Sequence, residues 1–405
     1  MAFLDGLRLV AALMVVLYHY AGLPRVASVW DVPSIVHAFP DLSRIASYGW
    51  LGVELFFLIS GFVICMSSWG RDAGAFARSR IVRLFPAYWA AVLITVAVTA
   101  IWSEPRPLTA NWSEILTNLT MLPKPLGVPQ VEGVYWTLWV EARFYLLFAF
   151  LVWWGLTTRR VLVFGYGWLI VATYAVEAES PLLSTIVMPD YAAFFAGGIG
   201  FFLIHKFGSD LKFWGLVGFS WLIAQHNTYD MVLLVNRPMP RPMSATAGVL
   251  LVTVFYVLMA GVALGWFRRV TWGWLTTAGL LTYPFYLLHE KIGWVLIHQM
   301  RDLRPRYLTL MITVAVMLVA AWLLHRLVER PLAGYLRTRL ATPTPDTPRG
   351  TAPRARVPQE ETPRDDTPPE RAPDDLIRDA SRRTKSDEAD PGSHAARDPG
   401  PVLLP

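Results

Sequence analysis

Residues 4–19 read LDGLRLVAALMVVLYH, and this stretch decides the fold class. After Asp5 and Arg8 the run is almost entirely apolar, and apolar residues continue to Leu23. A bilayer core about 30 Å thick is crossed by roughly 20 apolar helical residues. We therefore predict a transmembrane helix from Phe3 to Leu23. The early charges and the spanning length distinguish it from the core of a signal peptide, and we expect it to stay uncleaved.

The composition of the whole chain supports the same class. Of the 405 residues, 54% are hydrophobic and only 16% are charged, and the mean hydropathy is +0.40. A soluble domain needs a more charged surface. The isoelectric point is near 9.4, but the basic residues lie in short loops between apolar runs, so we expect no nucleic acid partner. The single cysteine, Cys65, cannot form an intramolecular disulfide.

Ten segments are long and apolar enough to be candidate spans. They predict an all-α, polytopic integral membrane bundle of about ten transmembrane helices, of which the fifth, sixth and seventh are short. The approximate segments are Phe3 to Leu23, Tyr48 to Ser68, Phe85 to Trp102, Val134 to Trp154, Val161 to Val176, Tyr191 to His205, Leu211 to Gln225, Thr246 to Phe267, Leu275 to Ile297 and Tyr307 to Leu324.

The distribution of Lys and Arg among the loops predicts the orientation, because basic loops stay in the cytoplasm. Alternate loops are basic, and the loops between them carry most of the acidic residues. We therefore predict a multi-pass protein of the cell (plasma) membrane with both termini in the cytoplasm. The loop from Asp302 to Arg306 is an exception, because together with the preceding Arg301 it places three arginines on the outer side.

The chain divides into two parts by composition. Residues 1–340 contain all the candidate spans and form the predicted membrane domain. Residues 341–405 are rich in Pro, Thr, Arg, Asp and Glu and almost lack aromatic residues. Such a segment cannot bury enough apolar surface to offset its chain entropy, so we predict a disordered cytoplasmic tail.

Ionisable side chains inside the spans are costly and need a reason. The clearest cases are His19, Glu54, Glu141, His289 and Glu290. We interpret Glu54, near the outer end of its span, as structural. The sequence has no phosphate-binding GxxxxGK loop, no GxSxG elbow and no zinc spacing, so we expect no metal.

Arg8 and His19 lie eleven positions apart, which places them on one face of a helix, separated by about 16 Å along its axis. A neutral histidine accepts a proton from a hydroxyl near neutral pH. We predict His19 as a catalytic base. The alternative is an interfacial histidine in an aromatic belt with Tyr18 and Tyr20.

Glu141 lies about a third of the way into the fourth span, where a carboxylate must be protonated or paired. We predict a catalytic role in orienting His19 or a substrate hydroxyl. The alternative is a structural ion pair between helices.

Arg80 and Arg83 are three positions apart and therefore neighbours on one helical face. Guanidinium groups bind phosphates through two parallel hydrogen bonds, so with Arg8 they are candidates for binding the phosphates of coenzyme A. The alternative is that they mark only the cytoplasmic end of a span.

The ninth span contains Tyr283, Tyr286 and His289, with Pro284 predicted to kink the helix between them. A kink beside polar residues indicates a substrate cavity wall. A packed histidine with satisfied hydrogen bonds is the alternative for His289.

Six motifs together resemble the membrane-bound acyltransferase-3 family, which includes O-antigen and macrolide O-acyltransferases. They are LDGLRLVAALMVVLYH, GVELFFLISGF, RIVRLFPAYW, WTLWVEARFYLL, LTYPFYLLH and VERP, and they follow the family order from Leu4 to Pro331. The resemblance implies ten helices that transfer an acyl group from acyl-CoA to a hydroxyl, often on a sugar.

By the same resemblance, the family's essential histidine corresponds to His19, its basic residue of the first helix to Arg8 and its intramembrane glutamate to Glu141. Its RxxR pair corresponds to Arg80 and Arg83. Five positions depart from the family pattern. Thr137 and Thr282 stand where serine is usual, Ala142 and Arg143 replace a more polar pair, and Glu290 follows the histidine where proline is common.

We therefore expect an acyltransferase that uses acyl-CoA as a co-substrate, holds no permanent cofactor and acts on a hydroxyl of a carbohydrate or of a glycosylated secondary metabolite, as in O-acetylation. Its other expected partner is the lipid bilayer. One alternative is a proton-coupled transporter or flippase of a lipid-linked or small hydrophobic substrate, for which buried His and Glu would relay protons. A noncatalytic scaffold is a third candidate, although a scaffold needs no buried charge.

Overall fold

The computed structural model describes residues 1–102 and 111–340. Ten long helices, here α1 to α10, account for most of this part of the chain. The predicted tail at 341–405 lies outside the described residues. In chain order the helices are α1 Ala2–Leu17, α2 Gly52–Ser68, α3 Ala73–Ile101, α4 Trp136–Trp154, α5 Thr158–Glu177, α6 Pro189–Phe207, α7 Leu211–Asn236, α8 Ala245–Leu264, α9 Gly273–Met300 and α10 Arg306–Leu324.

Each helix corresponds to one of the ten predicted spans. Within the described residues, eight helical segments are long and apolar enough to cross a membrane, and these contain all the helices except α7 and α9. Those two have 26 and 28 residues, which at 1.5 Å per residue exceeds a bilayer core. In α9 the consecutive polar residues His289, Glu290 and Lys291 interrupt the apolar sequence. The prediction of an all-α polytopic membrane bundle is confirmed.

Several helices are longer than the apolar runs that predicted them. Helix α3 begins at Ala73, where the side chain of Asp72 caps its first turn, and Pro86 lies inside it. Arg80 and Arg83 therefore belong to a continuous helix. Helix α7 begins after an equivalent cap from Asp210. Polar first turns add no hydropathy, so hydropathy alone places such boundaries too late.

Helices α2 and α6 pack at very close range through glycines. A Cβ atom added at Gly61 would lie 2.1 Å from the carbonyl oxygen of Phe195, and one added at Gly198 would lie 2.1 Å from that of Leu58. Only residues without a Cβ allow backbones this close. Gly61 and Gly198 therefore allow the close contact between these two helices.

Helices α1 and α9 run side by side in the same direction. Gly6 of α1 lies against Leu275, and Tyr20, just beyond α1, lies against Gly293. The Tyr20 hydroxyl donates to the carbonyl of His289 at 2.6 Å. We call the end where α1 and α9 begin the basal end of the bundle and the end where they finish the distal end.

Helix α1 continues into a single π-helical turn, Tyr18–Gly22. Isolated π turns are frequent at functional sites because they redirect side chains within a helix. The turn is held from two sides, since the indole of Trp30 donates to the carbonyl of Tyr20 at 2.8 Å and that of Trp294 donates to the carbonyl of His19 at 2.9 Å. His19 is thus fixed at the distal end.

Candidate active site

The hydrogen bonds of His19 define which of its ring nitrogens carries the proton. Nδ1 lies 2.8 Å from the carbonyl oxygen of Val15. Because a carbonyl oxygen can only accept, Nδ1 is the donor, and in the neutral ring Nε2 keeps a free lone pair. The His19 side chain is only 12% exposed. It is a shielded imidazole with one nitrogen available.

His289 lies directly behind His19. Its Nδ1 donates to the carbonyl of Tyr286 at 2.7 Å, so its Nε2 is the acceptor, and Nε2 lies 3.3 Å from Nδ1 of His19. The His289 side chain is completely buried. It therefore supports the proton on Nδ1 of His19 and, with it, the free lone pair on Nε2.

Glu290 supplies a carboxylate on the other side of the His19 ring. Its Oε1 lies 3.9 Å from Nε2 of His19 and 3.4 Å from Nη2 of Arg25. The side chain is 2% exposed, and its Oε2 has no hydrogen-bond partner among the described residues. This oxygen packs against the backbone of Gly133. The His19 imidazole, the Glu290 carboxylate and the Arg25 guanidinium thus form one cluster of three ionisable groups.

The distal cavity, of about 430 Å³, opens beside this cluster. His19 and Arg25 line it, together with Glu54 from α2 and aromatic side chains from several elements. A volume of this size lies within the usual range of ligand sites, about 300–1,000 Å³.

The middle cavity is narrower, about 140 Å³, and contains Glu141. The Glu141 carboxylate accepts hydrogen bonds from Ser60, at 3.1 Å, and from Tyr145. Tyr283 and Tyr286 line the same cavity. Tyr286 is held by Thr137 Oγ1 at 2.8 Å and by the carbonyl of Val134 at 3.2 Å.

The basal cavity, of about 590 Å³, is strongly cationic. Two of its arginines are paired, Arg83 with Glu329 at 2.6 Å and Arg8 with Asp5 at 3.3 Å. Arg80 contacts the hydroxyls of Ser67 and Ser79 and the ring of Phe76. The charged residues that line this cavity are Arg8, Arg78, Arg80, Arg83, Arg337, Asp5 and Glu329. Arginines outnumber carboxylates, as suits a polyanion.

The three cavities are neighbours in a row. Arg8, Arg80 and Arg83 line both the basal and the middle cavity. Val53 and Tyr286 line both the middle and the distal cavity. The cationic end and His19 are therefore separated by one constriction.

A comparison with known protein families identifies the chain. Residues 1–326 match the model of the family described as "Acyltransferase domain". The chain belongs to this acyltransferase family. The match covers nearly all of the membrane bundle, so the chain is a multi-pass membrane member of this family.

One curated relative is Acyltransferase MdmB from Streptomyces mycarofaciens, which is 30% identical over 151 residues. The aligned part is 36% of this acyltransferase and 37% of the relative, so it spans little more than a third of that protein. No solved structure matches the chain.

The predicted site residues of the acyltransferase fall into two groups. Arg8, Arg80, Arg83 and Glu141 surround the middle and basal cavities, whereas His19 lies at the distal cavity. Glu141 was expected to orient His19 or a substrate hydroxyl. Its hydrogen bonds go to Ser60 and Tyr145 and not to His19, whereas its role toward a substrate hydroxyl stays a prediction. The residues that hold His19 are Val15 and His289.

Two further placements differ from the sequence expectation. His289 was expected on a cavity wall, but it is buried behind His19 because its Nδ1 is tied to the turn of α9 that contains Tyr286. The carboxylate beside His19 comes from Glu290, a residue recognised in the sequence as costly but given no role. Arg25 was not singled out, because it lies in a loop where arginine is common.

No group of three metal-ligating side chains is present in residues 1–102 and 111–340. A base with a free nitrogen, a nearby carboxylate and a cationic cavity across a constriction are the parts available.

Proposed function

We propose that this acyltransferase transfers an acyl group from acyl-CoA to a hydroxyl group of a carbohydrate or glycoside, with His19 as the general base. The observation that carries the proposal is the row of cavities that joins an arginine-rich end to an imidazole with a free Nε2. The positive-inside distribution of Lys and Arg supports a cytoplasmic basal end in the plasma membrane.

The basal cavity is the proposed site for the nucleotide part of acyl-CoA. Its phosphates carry several negative charges, and Arg8, Arg80 and Arg83 present guanidinium groups to the cavity. The pantetheine arm would then extend through the middle cavity toward His19, about 16 Å along α1 from Arg8. Glu141 lies on this path, where its carboxylate can accept a hydrogen bond from an amide of the arm.

At the distal cavity, the acceptor hydroxyl would donate its proton to Nε2 of His19 as its oxygen attacks the thioester carbon. The carbon–sulfur bond then breaks, and the imidazolium returns the proton to the departing thiolate. General base catalysis of this kind contributes about 10²- to 10⁴-fold in rate. Glu290, at 3.9 Å from Nε2, would stabilise the transient imidazolium.

The test is release of coenzyme A thiol by the purified protein in lipid nanodiscs, with acetyl-CoA and a panel of glycosides as acceptors. His19→Ala should lower turnover by at least 100-fold. His226→Ala is the matched control, because the His226 side chain on α7 is 77% exposed and lines none of the three cavities described above. Retention of more than half of the activity by His19→Ala would remove His19 from the mechanism.

The same preparation separates this proposal from the transporter alternative. A transporter or flippase would move a labelled glycoside across a proteoliposome membrane without releasing thiol. Acyl transfer requires stoichiometric thiol and ester. Glycoside movement with no thiol release would therefore replace the proposed function.

A further inference from the structure

Glu54 is a buried carboxylate that the acyl-transfer mechanism above does not use. It lies in the first turn of α2, is 6% exposed and lines the distal cavity together with His19. It makes no hydrogen bond and no ion pair with any residue in the described part of the chain, and its Oε2 is fully shielded without a partner. Burying such a group costs several kcal/mol unless something pairs with it.

The walls around Glu54 are aromatic. Tyr18, Trp50, Trp136 and Tyr191 line the same cavity. The indole nitrogen of Trp50 is also buried without a hydrogen-bond partner. Buried polar atoms in native proteins nearly all have partners. The Glu54 carboxylate, which keeps some exposure and lies unpaired on the wall of this cavity, therefore points to a ligand that supplies its partner.

The charges select among ligands. The guanidinium of Arg25 at this cavity already faces Glu290 at 3.4 Å. Glu54 has no comparable cation. A carboxylate within an aromatic enclosure is the arrangement that binds alkylammonium groups, because the ring faces attract a cation and the carboxylate neutralises it.

We propose that Glu54 and the surrounding rings bind a protonated amine on the acceptor, so that the acceptor class is an amino sugar or a glycoside that bears a basic amine. This inference rests on the proposed function, since it places the amine in the cavity where His19 receives the hydroxyl. It assigns Glu54 to acceptor recognition, where the sequence alone favoured a structural role.

The test is a binding measurement that needs no turnover. Isothermal titration of the nanodisc protein, without acyl-CoA, compares 4-nitrophenyl β-D-glucosaminide with 4-nitrophenyl β-D-glucoside. These probes differ only in an amine in place of a hydroxyl. The wild-type protein should bind the glucosaminide at least tenfold more tightly, and Glu54→Gln should reduce that ratio to about one. Gln keeps the size of the side chain and removes its charge.

Two controls separate recognition from folding and from catalysis. Glu177→Gln, at the exposed end of α5, should keep the tenfold ratio. His19→Ala should also keep it while losing thiol release, so a failure of the catalytic proposal would not resemble a failure of this one. Equal binding of the two glycosides, no measurable binding of either, or a preference that survives Glu54→Gln would overturn the assignment.

Discussion

Glu290 gives the sharpest test of how the site stabilises charge. Its Oε1 lies 3.9 Å from Nε2 of His19, and the Glu290 side chain is only 2% exposed. Two unit charges at about 4 Å interact by about 4 kcal/mol at an effective dielectric of 20. Arg25 lies 3.4 Å from the same oxygen and offsets part of this effect, although its side chain is half exposed. We expect about half of the interaction, about 2 kcal/mol, to reach the imidazolium.

Glu290→Gln should therefore lower kcat by about 10- to 100-fold, because each tenfold change in rate corresponds to about 1.4 kcal/mol. The KM for acyl-CoA should change little, since the carboxylate is remote from the basal arginines. The assay is steady-state thiol release with both substrates varied. Glu290→Asp keeps the charge at a longer distance, so its kcat should lie between those of Glu290→Gln and the wild-type protein.

Glu177→Gln is again the matched control for the loss of one carboxylate at an exposed position. A kcat for Glu290→Gln within twofold of wild type would refute an electrostatic role for Glu290. So would a rise in KM with kcat unchanged, since that pattern indicates lost ground-state binding and not lost transition-state stabilisation.

Three further results are expected. Arg80→Ala should raise the KM for acyl-CoA about 10- to 100-fold, as expected for a lost charged hydrogen bond. The change in KM should differ for 3′-dephospho-acyl-CoA, whereas Lys206→Ala, at an exposed lysine of α6, should change the KM for neither substrate. Equal KM values for Arg80→Ala and wild type would contradict the proposed donor site. Gly198→Ala should destabilise the protein by about 1–3 kcal/mol through overpacking against Leu58, measured as a lower Tm in detergent, while Gly218→Ala, which has open space around it, should not. His289→Phe should lower kcat about tenfold or more with an unchanged KM, because His19 loses the acceptor that helps to hold its tautomer; a normal kcat would show that Val15 alone suffices.

The fold was predictable from sequence because lipid imposes one strict condition. Backbone groups in a bilayer must be hydrogen-bonded within the segment, so long apolar runs form helices. Helix α9 shows the limit of hydropathy, since the polar run at His289 weakens its apolar signal. Helix ends such as Ala73 depend on a capping side chain instead.

The site was only partly predictable. The shared face of Arg8 and His19 follows from the helical period, and each residue lines a cavity. Partners of His19 could not be found in this way. His289 meets His19 across 270 positions of sequence, and this contact depends on how α1 packs on α9. The depth of Glu141 in its span was correct, but depth does not show which neighbour a side chain faces.

The constriction between the middle and distal cavities has a consequence for the membrane itself. A bundle with hollows toward both ends risks becoming a leak for ions and protons. Here the two hollows meet only beside Val53 and Tyr286, and the Tyr286 ring is anchored by Thr137 and the Val134 carbonyl. In a membrane, an anchored ring at this position would oppose the passage of ions between the two hollows.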